Sequence, residues 1–581
     1  MWCSVVRLLE CQTKVFIIES ISMDFPKPIE CVAGNEALAR GAWPEARAAF
    51  EEALRIREVP EALEGLGTAA WWLDLADLVF DARERAYRLY LAREDRAAAA
   101  RVAVWLAWDS WAFRGESAVA NGWLRRARRH LENHGPCAER AWLEVREGAL
   151  CLLEEGDPER ALRLAHEGIR VAQAAGSFDL EMLGRAVAGL ALVASGSVAE
   201  GMRSLDEVNA AVIAGELTDW VTIGLCGCYL IAACERVRDY ERAVQWCRRL
   251  KESCAKWGLR PLFAVCRTQY ASICLWRGSW VEAEQELCAA SDELAVSRPG
   301  MKGEALLRLA ELRRRQGRLA EAAAIVERMA PHGSGLLERA RLALDRDDAR
   351  SALDLIEQYL RHLPALNRTD RALGLELAVR ARTDLQDWTG AKTALDELAS
   401  IAAMVATVPV RADLSYASGY AAMGKGKADE ARSCFEDACD SYTRSGTPFE
   451  TGRARIQLAR ALGALGRVDS AIAELHRGKA LLSDLKAELE VARAEKVLEN
   501  LLLLQAAHVS AAPEAKNGPL TRREIEVLRL VAEGLSNQSI AERLFVSDHT
   551  IHRHLANILN KLDVSTRAAA VALAARRGLF S

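Results

Sequence analysis

Three histidines lie within six residues of the chain, a spacing that raises the question of a metal or proton-transfer site. His549, His552 and His554 belong to the stretch SDHTIHRHLANILNKL, which runs from Ser547 to Leu562. A structural zinc site needs about four ligands, usually including cysteine, and the nearest cysteine in the sequence is Cys439. On one helix, the three side chains would also point in divergent directions. We therefore predict no metal and no cofactor here, and expect contacts to an anionic partner or a solvated face.

The residues around this stretch predict four short helices. Side chains that can cap a helix start, and glycines that can end one, recur at regular intervals. They are the capping box Thr521 and Glu524, the stop Gly534, the caps Ser536 and Ser547, the fourth helix's opening Ser565 and its end near Gly578. A short helix, a tight turn at FVS and a longer helix form the helix-turn-helix arrangement.

The third of these helices is amphipathic. Its apolar stripe consists of Ile551, Leu555, Ile558, Leu559 and Leu562. The side chains that face away from the stripe are Arg553, Ala556, Asn557 and Asn560. A helix in this position lies in the DNA major groove, where outward side chains reach base edges.

Segment 519–580 resembles a LuxR-type (GerE-type) DNA-binding domain. LTRREIEVLRLVAEGLSNQSIAERLFVS, followed by T-I-x-x-H-x-x-N-I-x-x-KL-x-V-x-T-R, keeps the family's order throughout. The resemblance implies a homodimer on double-stranded DNA, and DNA contacts from Ser547, Thr550, His552, Arg553, His554, Ala556, Asn557 and Lys561. The family usually has Lys where this chain has His552, and position 556 holds only Ala, so Arg553 is expected to be the strongest base reader.

Most of the remaining chain is a repeat. A turn, two or three residues and then a small residue opening an amphipathic helix recur, as in GAWPEARAAFEEAL and GKADEARSCFEDA. The small anchor residues are Ala46, Ala161, Gly201, Ala243, Ala283, Ala322, Ala352, Ala391, Ala431 and Ala471, with two further copies expected near Ala82 and Ala118. The period near 40 residues predicts stacked helical hairpins with one continuous core.

This pattern resembles tetratricopeptide-type repeats, and its period is similar to the repeat superhelix of MalT-type bacterial activators. HEAT-like repeats share the period, so the repeat type stays open. The short step near MAPHGSG, with Pro331, Gly333 and Gly335, predicts a break in the stack. The leucine-rich segment 481–504 is expected to be one long helix that caps the superhelix or pairs with a second copy.

The predicted fold is all-α, a helical-hairpin repeat solenoid followed by a four-helix helix-turn-helix domain. The predicted superhelix covers 23–507, the linker 508–518 and the DNA-binding domain 519–581. Residues 1–22 are interpreted as a misassigned translation start.

A second motif, GYAAMGKGK, imitates a phosphate-binding loop. Gly419, Gly424 and Lys425 have the GxxxxGK spacing, but Gly426 stands where Ser or Thr should hold Mg²⁺. The loop should also follow a strand, whereas this segment reads as the helix and turn of a repeat. With no other nucleotide, metal or nucleophile-base pattern, the sequence predicts no enzyme.

The distribution of charge and of cysteines indicates the partner and the cellular compartment of the chain. Segment 516–581 carries 10 Lys and Arg against 6 Asp and Glu, although the whole chain has a formal net charge of −4. A basic tail on an acidic body suggests an anionic partner. The 15 cysteines are scattered without a CxxC pair, which suits a reducing cytoplasm, and no stretch predicts a membrane contact.

We therefore expect a bacterial-type cytoplasmic transcriptional regulator whose repeats sense an effector or protein partner. The alternative is a protein-interaction scaffold tethered to DNA, without a small-molecule effector. Of the 15 tryptophans, 13 lie between Trp43 and Trp280. Trp105 and Trp108 fall outside the turn register, so they are candidates for an effector site on the concave surface. The competing interpretation is that these rings fill the core between helices.

Overall fold

The computed structural model describes residues 28–257, 260–329, 334–511, 520–562, 564 and 566–579. Over these residues the chain is helical and contains no β-strand. Residues 1–22, interpreted above as a misassigned start, and residues 512–518 of the predicted linker lie outside the described part.

The helices alternate with short turns along the whole described chain. They are α1 Val32–Ala39, α2 Trp43–Ile56, α3 Pro60–Trp72, α4 Ala76–Ala92, α5 Arg96–Arg114, α6 Ser117–Leu131, α7 Ala138–Leu150, α8 Pro158–Ala174, α9 Phe178–Ser195, α10 Val198–Ala214, α11 Trp220–Val237, α12 Tyr240–Trp257, α13 Arg260–Trp276, α14 Trp280–Ser297, α15 Lys302–Arg315, α16 Leu319–Glu327, α17 Ser334–Asp345, α18 Ala349–His362, α19 Arg368–Asp384, α20 Trp388–Val405, α21 Val408–Gly424, α22 Ala428–Arg444, α23 Pro448–Ala464, α24 Val468–Asp484, α25 Glu488–Ala511, α26 Arg522–Ala532, α27 Asn537–Leu544, α28 Asp548–Leu562 and α29 Arg567–Arg576.

Helices α1 to α24 pair into hairpins that stack into one repeat solenoid around a large hydrophobic core, with smaller separate clusters of buried residues at α14 to α17. The predicted all-α repeat architecture is confirmed. Each hairpin turn holds a residue with a positive φ, which is a glycine in most turns and a non-glycine residue at Asp74, Arg238, Asp347 and Gln386. The left-handed residue ends the first helix and lets the second fold back against it.

The small anchor residues lie on the second helix of each hairpin and are buried. Gly201 shows why the position must be small, since a Cβ there would lie 2.5 Å from the carbonyl oxygen of Gly189 on α9. The copy expected near Ala118 is present as α6, but its buried residue is Ala120, and Ala118 is exposed. The short repeat step corresponds to α16, which has only 9 residues; Pro331 and Gly333 lie outside the described residues.

The expectation of one long leucine-rich helix over 481–504 is wrong. α24 ends at Asp484, Lys486 adopts φ +59°, and α25 begins at Glu488. The physical reason is a left-handed turn at Lys486, of the kind that separates the two helices of each hairpin. α25 then packs on α24 as the last helix of the stack and continues to Ala511, into the first residues of the predicted linker.

Successive turns of the superhelix touch each other through polar contacts between distant parts of the sequence. Arg298 Nε donates to Asp74 Oδ1 at 2.9 Å, and Arg238 Nη1 donates to Asp413 Oδ2 at 2.8 Å. Arg493 likewise bonds Asp345 at 3.1 Å. These pairs close the solenoid into a tight coil, so its axis is lined by side chains instead of forming an open groove.

The last four helices surround a hydrophobic core of their own. The predicted capping box is present, with Thr521 N–H donating to Glu524 Oε2 at 2.7 Å. The fourth helix is capped by Thr566, whose hydroxyl accepts from the Ala569 amide; Ser565, the expected opening residue, lies outside the described residues. The helix-turn-helix consists of α27, a turn at Phe545 with φ +53°, and α28.

One helix within the described residues, α11, is long and apolar enough to cross a membrane. Of its 18 residues, 72% are buried inside the protein. That burial is typical of the central helix of a repeat core.

We expect Gly201→Ala to lower the thermal unfolding temperature, because the new methyl group would push α10 away from the α9 backbone. Overpacking of this kind costs about 1–3 kcal/mol. The matched control is Gly122→Ala in α6, where an added Cβ meets nothing within 4 Å. There, alanine should stabilise the helix by up to about 1 kcal/mol. Equal unfolding temperatures for the two variants would contradict the close crossing at Gly201.

Candidate nucleic-acid interface

The start of α28 is fixed by its own side chains. Ser547 Oγ accepts from the Thr550 amide at 3.2 Å and lies 2.9 Å from the Thr550 hydroxyl. The apolar stripe of the helix packs on α26 and α29, with Ile551 and Ile558 fully buried. Packing on that side fixes which side chains α28 presents to a partner.

The predicted DNA contacts divide by exposure. His552 is 66% exposed, and its ring Nε2 lies 3.2 Å from the Asn537 side-chain amide on α27. Ala556 is exposed, and Asn557 is half-buried. Lys561 donates to Glu524 Oε2 at 2.7 Å, which ties its ammonium group to the capping box of α26.

Two side chains on the same helix contact the repeat superhelix. His549 Nε2 lies 2.7 Å from Glu474 Oε1 on α24. Arg553 Nη1 donates to Glu436 Oε1 on α22 at 3.4 Å. His549 also lies 3.9 Å from Glu436. The expected base reader Arg553 is thus turned toward an acidic surface of the protein itself, which we call the acidic patch and define as Glu436, Asp440 and Glu474.

The electrostatics of this contact are those of a charged pair removed from water. The hydrogen bond to Glu474 raises the pKa of His549, against the opposing effect of burial. The Glu474 carboxyl has its pKa held at about 2, because bonds from His549 and neighbouring arginines outweigh its burial. Around neutral pH, Glu474 is therefore ionised and favours a protonated His549.

The acidic patch is held in place by arginines of the repeats. Arg455 and Arg477 both bond Glu474, and Arg432 bonds Glu436. Burial raises the pKa of Asp440, with His549 acting in the opposite direction. Each of the two glutamates therefore serves a repeat arginine and a residue of α28 at the same time.

These positions account for the three clustered histidines. His549 faces carboxylates, His552 faces solvent, and the pKa of His554 is lowered by burial and by Arg553. Among the residues that the structure describes, no group of three or more His, Cys, Asp or Glu side chains has the arrangement of a metal site.

The GxxxxGK look-alike spans the second half of α21 and the turn that follows it. Gly419 is inside α21, where a Cβ would lie 2.8 Å from the Phe435 ring. Lys425 follows the end of α21, and its ammonium group lies 5.9 Å from the Trp388 ring. The glycine spacing therefore reflects helix packing and a hairpin turn.

The candidate effector tryptophans lie in the core between helices and not on an open concave surface. Trp108 is only 5% exposed and lies at a tilt against Trp111, with ring centres 4.7 Å apart. Trp105 is half-buried and lies 5.2 Å from Trp142. The burial of Trp108 favours the interpretation that its ring fills the core, whereas Trp105 keeps part of its surface exposed. An effector role for either ring stays a prediction.

Sequence reasoning missed the acidic patch. Nothing in the local pattern distinguishes Glu436 or Glu474 from other glutamates on repeat helices, because their role depends on how two distant segments pack.

Comparison with known proteins decides the nature of the last four helices. Residues 518–574 match the family model "Bacterial regulatory proteins, luxR family". The C-terminal segment is a LuxR-family helix-turn-helix. In this LuxR-family segment α28 occupies the recognition position, which confirms the resemblance drawn from its motif.

Relatives that this chain matches are named as transcriptional regulators. The transcriptional regulatory protein LiaR of Bacillus subtilis is 48% identical over 62 residues, or 11% of this chain and 29% of LiaR. The HTH-type transcriptional regulator MalT of Vibrio campbellii is 26% identical over 239 residues, or 41% of this chain and 22% of MalT. The matches thus span less than a third of either relative's length.

Among solved structures, the crystal structure of the APC/C hetero-tetramer Cut9-Hcn1 is similar over 81% of this chain and 95% of that chain. The sequence identity is 14% and the TM-score 0.45.

We expect the contact between the LuxR-family segment and the repeats to weaken as pH rises. The raised pKa of His549 means that the contact gains its full stabilisation below the ordinary histidine pKa of about 6.5 and loses it as pH rises through the raised value. Glu474, Glu436 and Asp440 face the ring from α24 and α22. The radius of gyration from small-angle scattering should therefore be larger at pH 8.5 than at pH 6.

His549→Gln should remove this pH dependence, because glutamine keeps a donor for Glu474 but does not titrate. His552→Gln is the matched control on the exposed side of the same helix and should keep it. An identical radius of gyration at both pH values in the unmodified protein would count against the contact.

Proposed function

We propose that this chain is a transcriptional regulator in which the repeat superhelix controls DNA binding by covering the recognition helix. That the C-terminal segment serves DNA-binding transcription regulation is supported by its LuxR-family match and its regulator relatives. The observation that carries the control is the pairing of His549 and Arg553 with the acidic patch.

The acidic patch and DNA compete for the same two side chains, His549 and Arg553. A recognition helix contacts base edges with residues of its N-terminal half, where His549 and Arg553 lie. In the described conformation these two side chains are largely buried against Glu436 and Glu474. Carboxylates and DNA phosphates are both anionic acceptors for the same donors, so one excludes the other. DNA binding therefore requires the LuxR-family segment to leave the acidic patch.

The proposal also covers the domains, the partners and the cellular location of the chain. The sensor is the superhelix of residues 23–507, joined through a linker at 508–518 to the DNA-binding domain at 519–581. The chain binds double-stranded DNA as a homodimer in the cytoplasm, and an effector or protein partner of the repeats favours release. Exposed leucines at the end of α25, among them Leu503 at 70% exposure, support self-association close to the DNA-binding domain.

The test is to weaken the acidic patch without touching the DNA-binding domain. We expect Glu474→Gln to raise the affinity of the full chain for duplex DNA, because the neutral amide attracts protonated His549 less. A hydrogen bond to a charged group contributes about 1.5–3 kcal/mol when buried. Since His549 is partly solvated, we expect about 1 kcal/mol, or roughly fivefold in the dissociation constant. Fluorescence anisotropy on a labelled random-sequence duplex measures it.

The matched control is Glu430→Gln, which makes the same change of charge on α22 but at an exposed residue paired only with Lys427. It should shift DNA affinity far less than Glu474→Gln does. Equal shifts would mean that overall charge, and not the acidic patch, governs DNA binding.

We expect Arg553→Ala to relax the sequence preference at one base position. A bidentate arginine contact to guanine supplies about 1–3 kcal/mol of discrimination. Selection from a randomised duplex pool, sequenced after binding, measures the preference. Lys561→Ala is the comparison, since Lys561 is held by Glu524 and should affect all sequences alike. An unchanged preference in Arg553→Ala would exclude this residue as a base reader.

A further inference from the structure

Arg146 on α7 is a buried cation without a hydrogen-bond acceptor. Its side chain is 1% exposed, and none of its three guanidinium nitrogens has a partner among the described residues. The guanidinium stacks on Trp108 with 3.5 Å to the ring centre, and Trp142 lies 5.0 Å away. Stacking occupies the faces of the group, whereas its five N–H bonds lie in its plane and need acceptors.

The surroundings of Arg146 are rich in further donors that lack partners. Nε and Nη2 of Arg83, the phenol of Tyr229 and the indole N–H of Trp142 are all buried and unpartnered. Burial lowers the pKa of Arg146 to about 10, and Tyr229, Asp109 and Asp219 act against that shift. Arg146 thus stays charged at neutral pH.

The nearby carboxylates are already engaged. Asp109 Oδ2 accepts from Arg83 Nη1, which leaves only Asp109 Oδ1 unpartnered. Asp219 accepts from the Thr222 amide at 2.7 Å, as the cap of α11. The cluster therefore has many free donors and one free acceptor.

We propose that this cluster is a binding site for a small anion whose carboxylate or phosphate oxygens accept hydrogen bonds from Arg146, Arg83 and Tyr229. An anionic group supplies several strong acceptors in a small volume, and guanidinium groups recognise such groups in their plane. The aromatic rings of Trp108 and Trp142 exclude water from the site, which strengthens each of those bonds.

For an anion to reach this site, the contact that closes the superhelix must open. The short turn Pro299–Met301 lies against the end of α5, and a Cβ on Gly300 would come within 2.7 Å of the Gly115 nitrogen. Next to it, Arg298 bonds Asp74 and the Trp71 carbonyl, each at 2.9 Å. Opening this contact uncovers the Asp109 side of the cluster, since Arg298 and Arg146 both face Asp109.

A second cluster of arginines lies on the axis of the superhelix and differs from the cluster around Arg146. It lines a small cavity of about 60 Å³. There, Arg314 bonds Glu338 and Asp345, and Arg315 bonds Glu311 and Glu450. Both of these arginines thus have carboxylates within ion-pair distance, whereas Arg146 has no carboxylate at that distance among the described residues.

The experiment measures the unfolding temperature of the full chain in inorganic phosphate, in acetate and in chloride at matched ionic strength. We expect phosphate or acetate to raise it by several degrees over chloride with a saturable concentration dependence. The anion that raises the unfolding temperature more shows whether the site prefers a phosphate or a carboxylate. Absence of any difference from chloride overturns the proposal.

Two variants test the residues. Arg146→Met should abolish the anion-dependent rise without lowering the unfolding temperature in chloride, because methionine removes an unpaired buried charge and keeps the apolar packing. Tyr229→Phe, which changes only the hydroxyl, should weaken the apparent anion affinity about fivefold. The control is Arg163→Gln at an exposed position on α8, which should respond like the unmodified protein.

An anion response that persists in Arg146→Met, or one that Tyr229→Phe leaves at full affinity, overturns the site. If Arg146→Met instead fails to fold in chloride, Arg146 is a structural residue and the proposal also fails. All arms are measured without DNA, so the outcome is independent of the proposed control by the acidic patch.

Discussion

Ion pairs between successive turns set the shape of the superhelix. A stack of hairpins fixes how each repeat meets the next, but it leaves the pitch of the coil free. Arg238 with Asp413, Arg315 with Glu450 and Arg493 with Asp345 join repeats that are more than a hundred residues apart. A buried charge that loses its partner is strongly destabilising, so these pairs permit only a narrow range of pitch. The covering of the inner tryptophans follows from that constraint.

Weaker ion pairs of the same kind join the LuxR-family segment to the repeats. Glu474 is shared between Arg455, Arg477 and His549, and Glu436 between Arg432 and Arg553. When α28 leaves, both glutamates keep a guanidinium partner. The acidic patch is therefore stable with or without the recognition helix on it, which is the condition for a contact that must form and break without unfolding its support.

Sequence patterns predicted the parts of this molecule that depend on neighbours in the chain. The hairpin period, the Thr521 and Glu524 capping box and the apolar stripe of α28 all follow from spacing over a few residues. The errors have the same origin. The interval places a repeat copy near Ala118, but only the phase of the helix decides that Ala120 is the buried residue, and the left-handed turn at Lys486 carries no glycine to mark it. Contacts such as Arg553 with Glu436 join residues 117 positions apart, and no local pattern contains them.

The acidic patch has a consequence for selectivity that follows from covalent attachment. In the proposed regulation it acts as a tethered competitor of DNA, present at an effective concentration on the order of millimolar however dilute the protein is. A competitor of fixed strength lowers every DNA affinity by the same factor. Non-specific dissociation constants are typically 10⁻⁴ to 10⁻⁶ M and specific ones 10⁻⁸ to 10⁻¹¹ M. A loss of about tenfold therefore empties the abundant weak sites and leaves the few strong ones occupied, so two glutamates sharpen discrimination without contacting a base.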